Sequence, residues 1–276
     1  MSLHSLVRGV PDKRAESRAI RRATQAIQPE TWKPRQVAVV PLDPGAPTSA
    51  VAALLTIAAS RVMIHSVDNG VGRVIGVDTG SGRELARYLG AHDGGSIAGL
   101  AGLDLGTAAP SELARFIDSR TYTATLVASA PTSGPADESV RSALARLDRL
   151  GLTTFVNVPA PVAGQVMTAV LGHTQRVVAV TAGSIPEWLL TTQNPLHPFI
   201  DSASILVSQW QGPDGSTSLA DLGLSIPVLH IDPTTKRYAR DTYGFQLAEA
   251  PTALITGLLD ALQFLLADPH DQHARP

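Results

Sequence analysis

The chain has 276 residues, 44% of them hydrophobic and 17% charged, which fits one large α/β domain or two small ones around a sizeable core. Its formal net charge of −2 argues against wholesale nucleic-acid binding. The lack of cysteine excludes disulfides, thiolate metal sites and cysteine nucleophiles. No apolar run reaches the roughly 18 residues of a membrane span and no signal-peptide core is visible, so a cytoplasmic protein is expected.

In chain order, the first expected element is a basic helix. Residues 11–27 (PDKRAESRAIRRATQAI) place Ala15, Ala19, Ile20, Ala23 and Ile27 at helical spacing, with arginines on the other faces. Residues 1–36 hold eight Lys/Arg against three acids, a local +5 that leaves −7 for the remainder. Three roles stay open for this helix: loose packing on the domain, contact with a protein partner, or contact with nucleic acid or anionic lipid at the inner face of the membrane. Its mostly alanine stripe is too slight for strong membrane insertion.

Strand-like runs then recur at 36–42, 73–78, 124–129, 153–158, 176–181, 203–209 and 227–231. They are apolar throughout, as strands buried on both faces are. Helix candidates lie between them at 48–60, 82–89, 110–118, 136–150, 161–172, about 185–192 and 251–267. This alternation predicts a doubly wound, mostly parallel α/β sheet with helices on both faces. The last helix has a wide apolar face and carries Asp260 rather than basic residues, so docking on the core is expected. The expected organisation is a basic segment over 1–35, a single α/β domain over 36–268 and a polar tail over 269–276.

One segment carries the functional reading. Residues 37–60 (VAVVPLDPGAPTSAVAALLTIAAS) run from a β-branched strand through a Gly/Pro turn into an Ala/Leu-rich stretch read as an amphipathic helix. That is the strand–loop–helix setting of a phosphate-binding loop. The lysine such a loop needs is absent, and Thr48 stands in its place. A plainer alternative stays open, an ordinary βα turn with Pro and Gly serving turn geometry.

On these residues the chain resembles the MinD/ParA family of P-loop ATPases, in particular actinobacterial members with a basic N-terminal helix. The family's deviant loop, KGGVGKTT, falls without gaps on Asp43-Pro44-Gly45-Ala46-Pro47-Thr48-Ser49-Ala50. VIGVDTGSG supplies Asp78 at the end of the second strand, and TTFVNVPAP puts Asn157 at the Walker B aspartate position. RVVAVTAGS and PVLHIDPTTKRYARDTYGFQLAEAP resemble later segments of the family, and the likeness spans about residues 10–267.

The resemblance implies a nucleotide site at Gly45, Thr48, Ser49 and Asp78, of which Ser49 could still contact a magnesium ion. It also implies that the site is vestigial. Both lysine positions are lost, to Asp43 and Thr48. At ~5 Å from a phosphate oxygen and an effective dielectric near 20, Asp43 would add about 3 kcal/mol of repulsion. Pro44 and Pro47 remove two backbone N–H donors from the loop, and Asn157 brings no charge to support Mg²⁺.

The expectation is therefore a pseudo-ATPase with no catalytic residues, no metal and no required cofactor, residual ATP/Mg binding aside. It would act through protein partners in partitioning, division-site placement or type VII secretion. A homodimer or a heterodimer with a related ATPase is a further implied arrangement. The alternative is a weak ATP-binding ATPase that works with a competent partner.

Other patterns carry less. The Asp-Thr-Gly-Ser string at 78–81 lacks the second such carboxylate that acid proteases need, since Asp241-Thr242-Tyr243-Gly244 has an insertion. Gly80-Ser81-Gly82 is followed by Leu85 where a dinucleotide fingerprint needs glycine. Gly94-Gly95-Ser96-Ile97-Ala98 misses a nucleophile elbow at its last position and reads as a flexible glycine loop. The eight histidines show no metal spacing. His230, within an apolar run, is expected in the core, and His270 and His273 fall in the tail.

Overall fold

The computed structural model describes residues 32–33, 35–66, 74–80, 84–90, 96–103, 117–118, 125–126, 137–161, 164–183, 186–210, 226–232, 235, 239–240, 244–245 and 250–267. The basic segment at 11–27, the tail at 269–276 and most of the 110–118 helix candidate lie outside them.

Six strands form one sheet: β1 (Gln36–Pro41), β2 (Val74–Asp78), β5 (Thr153–Asn157), β6 (Arg176–Thr181), β7 (Ile205–Gln209) and β8 (Val228–His230). Their order is β2-β5-β1-β6-β7-β8 and every pairing is parallel. The chain moves outward from β1 to β2, returns to β5, then crosses β1 to continue with β6. This reversal makes the carboxyl ends of β1, β5 and β6 a topological switch point, where such sheets bind ligands.

The five strands β1, β2, β5, β6 and β7 are buried along their length, Pro41 alone being half-buried, because both sheet faces are covered. On β1, Val37 and Val39 face one core while Ala38 and Val40 face the other. The first core is filled by α1 (Thr48–Ser66), α2 (Glu84–Leu89) and α7 (Thr252–Leu266). Helices α3 (Ile97–Gly102), α4 (Asp137–Arg149) and α5 (Gly164–Leu171) cover the other face. A 3₁₀ turn (Glu187–Leu190) and a short α6 (His197–Asp201) lead into β7.

Helix α1 corrects the amphipathic reading of its sequence. Every residue from Ala50 to Ser60 is buried, as in a helix that is apolar all round. Within this run the Thr56 hydroxyl is satisfied inside the helix by donating to Ala52 O at 2.7 Å. Helix α7 docks on the core as expected, with Leu254, Leu258, Leu259, Leu262, Leu265 and Leu266 buried. At its end Trp32 bridges Ala267, and the Arg35 guanidinium donates to Ala267 O.

Four further expectations are corrected. The described part of the 124–129 run, β4 (Thr125–Leu126), pairs antiparallel with β3 (Ile117–Asp118) instead of with the main sheet. Residues 117 and 118, read as the end of a helix, are therefore strand. The glycine loop at 94–98 instead starts a helix at Ile97, because the Ser96 hydroxyl accepts from Gly99 N at 2.9 Å and caps it. His230 is exposed at the end of the edge strand rather than buried. A second short antiparallel pair, β9 (Ala239–Arg240) with β10 (Gly244–Phe245), completes the described strands.

Candidate functional site

The loop from β1 to α1 sits at the switch point, and a cleft of about 290 Å³ opens over it. Pro44 through Ala50 form its floor, Glu84 and Tyr88 of α2 one wall, and Pro159 and Ala160 the other. None of these lining residues carries a positive charge.

Parallel pairing brings the candidate residues together. Asp78 and Asn157 end adjacent strands as register partners, so both sit side by side at the carboxyl end of the sheet. Both are buried, at 1% and 0% exposure, as is Ser49 in the first turn of α1 at 3%. The Asn157 Nδ2 lies between them and donates to Ser49 Oγ and to Asp78 Oδ1, each at 2.9 Å. An ionised carboxylate only accepts hydrogen bonds, so Asp78 requires the amide nitrogen on its side. Asn157 Oδ1 is then left without a partner among the described residues.

Asp78 has further donors. Gly80 N reaches Oδ1 at 2.9 Å and Leu85 N reaches Oδ2 at 3.2 Å. The carboxylate thereby caps the start of α2 and holds the connecting turn to the strand end. Burial pushes its carboxyl pKa above the ordinary value, against the pull of the Gly80, Asn157 and Leu85 hydrogen bonds, and neighbouring Glu84 adds to the rise. A close approach fixes the same corner, since a Cβ on Gly80 would come within 2.5 Å of Pro159 Cγ.

The other side of the loop is held by Asp43. Its Oδ1 accepts from Gly45 N at 3.0 Å, and its Oδ2 accepts from Thr181 Oγ1 and Ala182 N, both at 2.8 Å. The Gly45 contact is an Asx turn that Asp-Pro-Gly makes readable in advance. Thr181 was not legible as a partner, because only the β1–β6 pairing brings it there. The remaining loop amides turn inward: Ala46 N donates to Asp43 O at 3.1 Å and Thr48 N to Ala46 O at 2.9 Å. Thr48 is itself buried at 2% exposure. Gly45 and Ser49 stay at the cleft, while Asp78 lies behind it and does not line it.

This donor set does not fit a magnesium-bound triphosphate. A hydrated Mg²⁺ needs oxygen ligands, and a nitrogen that donates stands between the two oxygens best placed to supply them. A phosphate cradle needs loop N–H groups aimed outward, and those of Gly45, Ala46 and Thr48 are spent on the chain itself. Among the described residues there is no group of three His, Asp or Glu that could hold a metal.

No protein-family model and no curated protein matches the chain. Solved structures do match its fold. A ParA family ATPase from Chlorobium tepidum superposes with a TM-score of 0.60 at 15% identity, covering 82% of this chain and 98% of the other. MinD in the MinC:MinD complex of Aquifex aeolicus gives 0.57 at 12% identity, covering 83% and 95%. MinD from Pyrococcus horikoshii, solved with Mg-ADP, gives 0.54 at 16% identity, covering 83% and 95%. The architecture is that of the MinD/ParA class of P-loop ATPases. At these identities the likeness is one of fold.

Proposed function

We propose that the chain is a MinD/ParA-like pseudo-ATPase, of the actinobacterial type with a degenerate Walker A loop, that works as a regulatory or scaffold protein through protein contacts. The observation that carries this reading is the pair Asp43 and Asn157. A carboxylate stands at the signature-lysine position and an uncharged amide at the Walker B position, and each is built into the fold by short hydrogen bonds. Losing a preorganised phosphate clamp removes several kcal/mol of transition-state stabilisation. Gly45, Thr48, Ser49 and Asp78 are then remnants of a nucleotide site. In this reading the protein is cytoplasmic, with 1–35 a basic arm, 36–268 the domain and 269–276 a tail. Its setting is partitioning, division-site placement or type VII secretion, and its partner is a protein, a related ATPase included.

Calorimetry with Mg-ATP tests the reading. No binding up to millimolar nucleotide is expected, together with no phosphate release; micromolar binding would sink it. A second reading, weak ATP binding beside a catalytically competent partner, is favoured by one feature. The first-turn Ser49 amide has no acceptor among the described residues, and Ser49 lines the cleft. Partner-dependent turnover that Ser49→Ala abolishes would select this second reading.

A further inference from the structure

We infer that the loop beneath the cleft is locked by the chain's own side chains, the Asn157 amide standing in for a cation and the Asp43 carboxylate for an anion. The loop is thereby held in one arrangement without any ligand. This rests on the pseudo-ATPase reading and adds the regulation of that same site, which is independent of nucleotide and metal.

The two contacts act on opposite sides of one loop. On the β5 side, Ser49 Oγ and Asp78 Oδ1 are each 2.9 Å from a single nitrogen. A magnesium ion joining a hydroxyl and a carboxylate would lie roughly 2.0–2.1 Å from each oxygen. The amide joins the same two oxygens from a longer distance with its two hydrogens, one to each, and ties α1 to β5 and β2. It does so without charge, and the Gly80 and Leu85 amides complete the solvation of Asp78. The contact is kept although Asn157 Oδ1 stays unpartnered.

On the β6 side, Asp43 Oδ2 gathers the Thr181 hydroxyl and the Ala182 amide, while Oδ1 takes the Gly45 amide. An oxyanion held by backbone N–H groups is what a bound phosphate would present to such a loop. Removing either contact frees the loop on one side only.

Residue-resolved amide exchange on the full chain tests the lock, because Ala182 N, Gly80 N and Leu85 N are each held by these carboxylates. In the ligand-free wild type these amides are expected to exchange slowly, and Mg-ATP is expected to leave their rates unchanged. Asp43→Ala is expected to speed Ala182 about tenfold to a hundredfold, the loss of one hydrogen bond to a charged group. Equal Ala182 rates in wild type and Asp43→Ala would overturn the lock.

Asn157→Asp sets a second carboxylate against Asp78. Its melting temperature is expected to fall in EDTA and to recover with Mg²⁺ alone, a response absent from the wild type. A wild type stabilised by Mg²⁺ overturns the proposal. If that variant does not fold, Ser49→Ala serves in its place: it is expected to melt lower than wild type with no response to Mg²⁺, and an unchanged melt overturns the proposal. The two readings fail separately. Tight Mg-ATP binding with slow ligand-free amides refutes the pseudo-ATPase and leaves the lock, whereas fast ligand-free amides refute the lock even without ATP binding.

Discussion

Asp78 has a proton affinity set by where it sits, at the buried end of β2 among three donors. Because burial raises its folded pKa, the folded chain holds a proton at pH values where the unfolded chain has released it. Its contribution to stability therefore rises as pH falls from above the raised value toward the ordinary one, and is flat below that. Melts of wild type and Asp78→Asn, compared from about pH 7 down to about pH 4, are expected to show wild type gaining on the variant. A difference that stays constant would mean the pKa is not raised. For Asp43, loss of the carboxylate in Asp43→Ala is expected to cost about 1–3 kcal/mol in urea unfolding, because the Ala182 amide and Thr181 hydroxyl lose a charged acceptor. Sequence reading took Asp43 as hostile to phosphate; the structure makes it an acceptor for Gly45, Thr181 and Ala182.

Among the elements, α1 and the β2–α2 corner bear the largest mechanical demands. Leu54 lies at 0% exposure in a helix enclosed on all sides, so Leu54→Ala is expected to cost about 2–5 kcal/mol. Chemical denaturation measures this directly, and a loss well under 1 kcal/mol would contradict the enclosure. At the corner, Gly80→Ala must push the loop after β5 aside, since Pro159 Cγ stands 2.5 Å from the new Cβ. A loss of about 1–3 kcal/mol is expected. The strands of the main sheet were legible to within about two residues, because a strand buried on both faces reads as an unbroken apolar run. Helices α3 and α6 were missed for the opposite reason. Residues 97–102 (IAGLAG) hold two glycines in six positions and α6 spans five residues, too few for a helical period to emerge.

For the whole molecule, the doubly wound sheet predicts where a ligand would sit, and side-chain chemistry decides whether one does. If the loop beneath the cleft is held by the chain's own side chains, Mg-ATP is expected to leave the hydrodynamic size of the protein unchanged in size-exclusion chromatography with light scattering. A nucleotide-driven shift to a dimer would contradict the proposed function. The described helices include none long and apolar enough to cross a membrane.

By itself, the sequence determined the strand–helix alternation and the strand–loop–helix setting at 37–60. Each of these is local, a matter of residue type and spacing along the chain. Only the tertiary structure decided what Asp43 and Asn157 touch. The parallel register sets Asn157 beside Asp78, 79 positions apart along the chain, and the β1–β6 pairing carries Thr181 to Asp43, 138 positions away. No local pattern encodes such a contact, because strand order and register arise from burying all faces of the sheet at once.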